Sequence, residues 1–221
     1  MKIKKIIRSK RKTIALQVCS DTSLIIRAPF HATDEVIERV ILKHNKWLEK
    51  KRKEIILRDL KYPAKRFSDG EKFFFLGEEY RLHQVKEQEE PLIFSKGYFL
   101  LINNLNNPRD IFINWYKKMA RATINQRVVW FAHRWGFRFN KITITNAQKQ
   151  WGSCSHLGNL NFSWRLIMAP LPIIDYVVIH ELIHLDEKNH SKTFWKKVEK
   201  YLPEYRIHRE WLKMNGCLLR L

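Results

Sequence analysis

IIDYVVIHELIHLDEKNHSKTFW occupies residues 173–195. Its first part, up to Leu185, is apolar nearly all round, the pattern of a buried helix. Pro170 and Pro172 stand just before it or at its start, where a missing amide hydrogen costs a helix nothing. Into that apolar surface the sequence sets His180, Glu181 and His184. Two imidazoles and a carboxylate have no cheap use there, because unpaired polar groups in an apolar setting cost several kcal/mol.

Four residues along a helix advance about 6 Å and 400°, so His180 and His184 project from nearly one face, a turn apart. Their rings can meet a single ion at about 2 Å each. Glu181, turned about 100° from His180, flanks that ion where a base for water belongs. The geometry predicts a zinc-dependent hydrolase in which zinc lowers the pKa of water and Glu181 takes the proton. Such sites usually have three protein ligands and one open position. Asp186, Glu187 and His190 are candidates for the third. Glu187 would lie about 10 Å beyond His180 if the helix continued, too far for the same ion. His190 reaches it if the chain turns back after Leu185, which the polar run DEKN permits. His190 is therefore the favoured ligand, with Glu199 of the following helix as the alternative. The spacing of the three histidines also matches the metzincin pattern, although Glu187 stands where that pattern has Gly. A second electrophile normally helps hold developing negative charge. His208, Tyr205, Arg206 and Tyr201 are candidates by chain position.

Upstream, FNKITITNAQKQWGSCSHLGNLNFSWRLIMAP, residues 139–170, alternates as strands do, with turns at Gly152 and at 157–159. WGSCSHLGNLNFSWRLIMAP followed by YVVIHELIHLDEKNHSKTFW resembles the YgjP-like metallopeptidase family, zinc-dependent hydrolases related to SprT-like and small gluzincin-type peptidases. RSKRKTIALQV, LIIRAP and FLGEEYRL extend the resemblance over nearly the entire chain. It implies an α+β fold with a zincin-like catalytic domain: an active-site helix, a small antiparallel sheet over the cleft and flanking helices, preceded by a small β-rich region. It also supports His180, His184 and His190 as zinc ligands, Glu181 as base, and peptide or protein as substrate. An edge strand near such a cleft can pair with an extended substrate, so Trp151, Gly152 and Ser153 are candidate substrate contacts, as is His208. A tight turn with Trp151 in the core is the competing reading of that segment.

The N-terminal third reads as small and β-rich with one helix. KTIALQV and SLIIRAP suggest a hairpin. Thr33 or Asp34 can cap a helix running to about Leu60, with Val36, Val40 and Trp47 as its stripe. Two further hairpins are predicted, broken at Gly77 and at Lys96-Gly97. NNLNNP, residues 103–108, is all turn chemistry and suggests a boundary between a region 1–105 and a hydrolase domain 106–221. Asp110 to Trp135 then reads as one helix, with Ile111, Trp115, Met119, Ala122, Val129 and Ala132 as an approximate stripe closed by Gly136. Ser191 can cap another helix, and Glu204 to Asn215 suggests a last one.

Forty-two Lys and Arg against 22 Asp and Glu give a net charge of +20, which attracts polyanions. That leaves two rivals to peptide hydrolysis: hydrolysis of nucleotides at the same metal, and a nucleic-acid-associated protein with a zinc site. Cys19, Cys154 and Cys217 form no CxxC pair, which argues against a disulfide framework or a zinc ribbon. No apolar run approaches a membrane span and MKIKKIIRSKRK lacks a signal-peptide core, so no membrane partner and a cytoplasmic location are expected.

Overall fold

In LIIRAP the alternate residues Leu24, Ile26 and Ala28 are buried, the signature of a strand with one face on a core. This strand, Leu24–Pro29 (β3), is central to a three-stranded sheet. Ala15–Val18 (β2) pairs with it antiparallel, as the hairpin reading expects, and Ile3–Ser9 (β1) pairs parallel on its other side. Thr33 caps the helix Asp34–Lys43 (α1), its hydroxyl accepting from the Val36 amide. A second helix, Asn45–Lys61 (α2), follows a break at His44 that the apolar periodicity does not announce. Ile37 and Leu48 enter the core beside Leu24, Ile26, Ala28 and Ala32. Val36 and Val40 are only half-buried and Trp47 is exposed, so the buried stripe is rotated one residue from the expected one.

The computed structural model describes residues 2–19, 21–61 and 63–221. These form two compact units that divide after Ala64; NNLNNP lies inside the second. In that unit Lys72–Phe75 (β4) and Glu78–Val85 (β5) form one hairpin, and Leu92–Ser95 (β6) and Tyr98–Ile102 (β7) another. Both turn pairs, Leu76-Gly77 and Lys96-Gly97, have positive φ at each residue, which matches the twist of a two-residue hairpin. Parallel pairing of β5 with β7 joins the hairpins in the order β4-β5-β7-β6.

Against this sheet lies the long helix Pro108–Trp135 (α3), ended by Gly136 at φ 74°. Its buried stripe runs Phe112, Tyr116, Ala120, Ile124, Val128 and Phe131. Trp115 and Ala132 are buried as expected, whereas Ala122 and Val129 face solvent. Over so long a helix a 3.6-residue turn carries the core-facing line away from any fixed pattern. Phe73 stacks on Phe112 at 4.3 Å between centroids, and the Tyr116 hydroxyl donates to the Phe74 carbonyl at 2.6 Å.

Lys141–Thr145 (β8), Gly152–Cys154 (β9) and Asn159–Ser163 (β10) form the third sheet, in the order β8-β10-β9. It is mixed and not purely antiparallel: β9 runs against β10, but β8 runs parallel to it. Gly152, expected at a turn, lies in β9. A short 3-10 helix, Trp164–Met168, leads into Leu171–Ile183 (α4), followed by Lys192–Tyr201 (α5) and Tyr205–Asn215 (α6). The tip of the β4–β5 hairpin holds the entry to α4. Leu76 and Gly77 amides donate to Ile167 and Met168 carbonyls at 2.8 and 3.1 Å, and a Cβ on Gly77 would meet Pro170 at 2.7 Å. The architecture is α+β, with a β-rich N-terminal region. Among the described residues no helix is long and apolar enough to cross a membrane, and the three cysteines are free thiols.

Candidate metal centre

Helix α4 packs with its apolar surface in the core of the second unit, and its C-terminal turn carries His180 and Glu181. His184 is the cap residue. The chain then turns tightly: the Asp186 and Glu187 amides both donate to the Ile183 carbonyl, at 3.1 and 2.9 Å. Lys197 of α5 pairs with Glu187 at 3.0 Å and Asp186 at 3.5 Å, holding the turn from the other side. The turn brings His190 back. Its Nε2 lies 2.9 Å from His180 Nε2 and 3.2 Å from His184 Nε2. These three histidines form a group able to hold a metal ion, with their nitrogens all within 4.8 Å of one another. Glu199, the alternative third ligand, is on α5 and pairs with Arg206 at 3.4 Å.

Several features test whether a cation fits. The His184 Nδ1 faces the Glu187 carbonyl at 2.8 Å. A carbonyl can only accept, so Nδ1 carries the proton and Nε2 offers a lone pair, the tautomer a metal requires. Asp186, a candidate third ligand, points instead to Lys197. Burial pushes the His180 pKa down to about 3, with His184, His190 and Arg209 adding to the depression. Burial also lowers His184, against the Glu187 hydrogen bond. His180 and His184 thus hold neutral rings. Tetrahedral bonds of about 2.0–2.1 Å would separate the nitrogens by roughly 3.3 Å, a few tenths of an ångström from the 2.9 and 3.2 Å that separate His190 from His180 and His184. His180 Nδ1 and Glu181 Oε2 are buried without a partner among the described residues. The donor set fits a borderline-soft dication such as zinc.

Around the triad stands an aromatic wall from α5. Phe194, fully buried, stacks on His184 at 4.5 Å, and Trp195 stacks on His190 at 5.7 Å. Trp195 thus packs against the helix that carries His180. Glu181 is 5% exposed, and burial pushes its pKa up to about 8. Strand β9 lies against this carboxyl. A Cβ on Gly152 would stand 2.6 Å from both Glu181 Cγ and Oε1, so any larger residue there would push the Glu181 side chain aside. Trp151 turns away, its indole against Gly216, while the Ser153 hydroxyl accepts from the Asn161 amide at 3.2 Å. The outer edge of β9 has no strand partner among the described residues.

His208 on α6 faces Tyr176, which precedes His180 by one helical turn; the ring centroids are 6.3 Å apart, and Tyr176 lies 5.9 Å from His180. Burial pushes the Tyr176 hydroxyl up to about 12. Tyr205 is stacked on Trp195, Tyr201 packs at a tilt against Trp135, and Arg206 is drawn to Glu199 and the Tyr205 hydroxyl. Tyr176 and Arg209 are the neighbours of the centre that sequence reasoning passes over. Tyr176 had a signal, its i, i+4 relation to His180; Arg209 had none.

No curated protein matches the chain. A solved structure, the metallopeptidase zymogen of Pyrococcus abyssi abylysin, is similar at 21% identity with a TM-score of 0.38, over 44% of this chain and 96% of that one. The description "YgjP-like, metallopeptidase domain" matches residues 12–215, and the chain belongs to this YgjP-like family of metallopeptidases.

Proposed function

We propose that the chain is a zinc metallopeptidase in which His180, His184 and His190 hold the metal and Glu181 is the general base, with residues 106–221 carrying the chemistry. The observation that supports it most is the convergence of three imidazole nitrogens beside a buried, unpartnered carboxyl. Zinc, when bound, supplies a Lewis acid that acidifies water and polarises a carbonyl oxygen. Glu181 accepts the proton of the attacking water and returns it to the leaving amine. A neighbouring dication favours its ionised form, against the burial that otherwise keeps it protonated. Tyr176 of α4 and His208 of α6, their rings 6.3 Å apart, would donate to a developing oxyanion. The free edge of β9 pairs with an extended peptide, and Gly152 lets the backbone of that strand lie directly against Glu181.

The test combines metal analysis of the purified chain with product analysis. Zinc-loaded wild type cleaves unfolded protein, and Glu181→Gln lowers kcat by about 10² or more while still binding zinc. Nucleoside triphosphates are assayed in parallel because of the +20 charge. Pyrophosphate release without peptide cleavage would replace the peptidase reading with a nucleotide hydrolase.

A further inference from the structure

Arg209 projects from α6 with its guanidinium carbon 4.8 Å from the centre of the Trp195 ring. That indole stacks on His190, lies 5.8 Å from His180 and stacks on Tyr205, so the cation rests on the wall of the metal centre. The charge of Arg209 reaches both His180 and Tyr176. Four carboxylates of α5, α6 and the turn after α4 have other partners. Glu210 pairs with Lys213, Glu199 with Arg206, and Asp186 and Glu187 with Lys197. No hydrogen bond or ion pair among the described residues joins Arg209 to an acid.

A fixed cation beside a site for a dication is repelled by it, and more strongly where water is displaced. The arrangement becomes favourable when something bound there brings negative charge. Stacking on an aromatic ring fixes the guanidinium plane while leaving its in-plane N–H donors free, the fork that takes a carboxylate through two parallel hydrogen bonds. We propose that Arg209, held on Trp195, is a carboxylate subsite of the cleft, which selects peptides carrying an acidic side chain or a free C-terminal carboxylate next to the cleaved bond. The assignment rests on the metallopeptidase reading and adds its substrate class.

The test uses the full zinc-loaded chain and two peptide libraries containing Glu and Gln in equal share, one with amidated and one with free C-termini. An acidic side chain as the ligand enriches Glu over Gln beside the cleavage site about tenfold, roughly the weight of one charge-assisted contact. A C-terminal carboxylate instead enriches the free-ended library by a similar factor. Arg209→Gln brings the responsible ratio to within about twofold of unity, Arg209→Lys retains part of it, and Lys213→Gln, which removes the same charge from the same helix, retains all of it. Both libraries are also passed over immobilised, zinc-loaded Glu181→Gln protein, where retention follows the same ratios without turnover. Equal use of acidic and neutral peptides by wild type, or a preference that survives Arg209→Gln, overturns the subsite. Absence of all cleavage counts against the peptidase reading instead, and the retention experiment then decides the subsite alone.

Discussion

At Gly152 the backbone of β9 is pressed against the Glu181 side chain, with no room for a methyl group. Gly152→Ala therefore displaces the carboxyl by a sizeable fraction of an ångström. Misplacement on that scale costs about 10²-fold in rate, so kcat is expected to fall by that order while circular dichroism and zinc content stay near wild type. Glu181 also has a pH signature in the metal-free protein. With a folded pKa of about 8 and an ordinary value of 4.5, the folded chain keeps a proton that the unfolded chain loses. The wild type therefore loses stability as pH rises from 4.5 to 8, and the effect levels off above. His180 acts in the opposite direction: its depressed pKa of about 3 makes stability rise between pH 3 and 6.5. That contribution is common to wild type and Glu181→Gln and cancels in their difference. Urea unfolding should show the Gln variant gaining on wild type between pH 4.5 and 8, by an amount on the order of a few kcal/mol. His180, Glu181 and His184 are legible in the sequence because their relation is local, set by the helix and its cap, and His190 because a polar turn follows directly. Gly152 and Arg209 meet the centre across separate elements, and spacing along one element carries no trace of that. A glycine inside a strand pattern is a sign of close approach, and it was readable as a turn with equal ease.

The element that assembles the centre is the α4–turn–α5 unit, because it supplies all three imidazoles and the rings that brace them. Ser191 follows His190 directly and caps α5, its hydroxyl accepting from the Phe194 amide at 3.2 Å. Removing the cap loosens the first turn of α5, which carries Phe194 and Trp195 against His184 and His190. Ser191→Ala is expected to cost about 1 kcal/mol of stability and to weaken zinc binding severalfold, measured by urea unfolding and by competition with a chromogenic chelator. Equal affinity in the two proteins would mean that His190 is held by the Lys197-pinned turn alone. Much of this unit follows from the sequence: the prolines before α4, the polar DEKN turn and the Ser191 cap are local signals. The break between α1 and α2 is not, since the residues either side of His44 continue a helical pattern.

For the molecule as a whole, hairpins could be read from their turn pairs, whereas the three parallel pairings, β1 with β3, β5 with β7 and β8 with β10, could not. A parallel pair joins distant segments and leaves no turn between them to mark it. The same distance dependence separates charge from function. Seventeen Lys and Arg against seven Asp and Glu lie in residues 1–64, and 25 against 15 in residues 65–221, so the excess is equal in two units of very different size. The histidine triad belongs to the second unit, whose large core includes the apolar face of α4 and, from α5, Phe194 and Val198. A ligand that binds only the folded form stabilises it by RT ln(1 + [L]/Kd), about 4 kcal/mol at a thousandfold excess over Kd. For a unit of this size that corresponds to roughly 10 °C. Calorimetry should therefore show the unfolding of residues 65–221 moving down by about that much when a chelator strips zinc, and back when zinc is restored. His180→Ala and His190→Ala should each abolish most of the shift, while Glu181→Gln should keep it, because a base that flanks the ion contributes to the reaction and not to the hold. Loss of the shift in Glu181→Gln would make Glu181 a ligand, and a shift that persists in His190→Ala would hand the third position to another group.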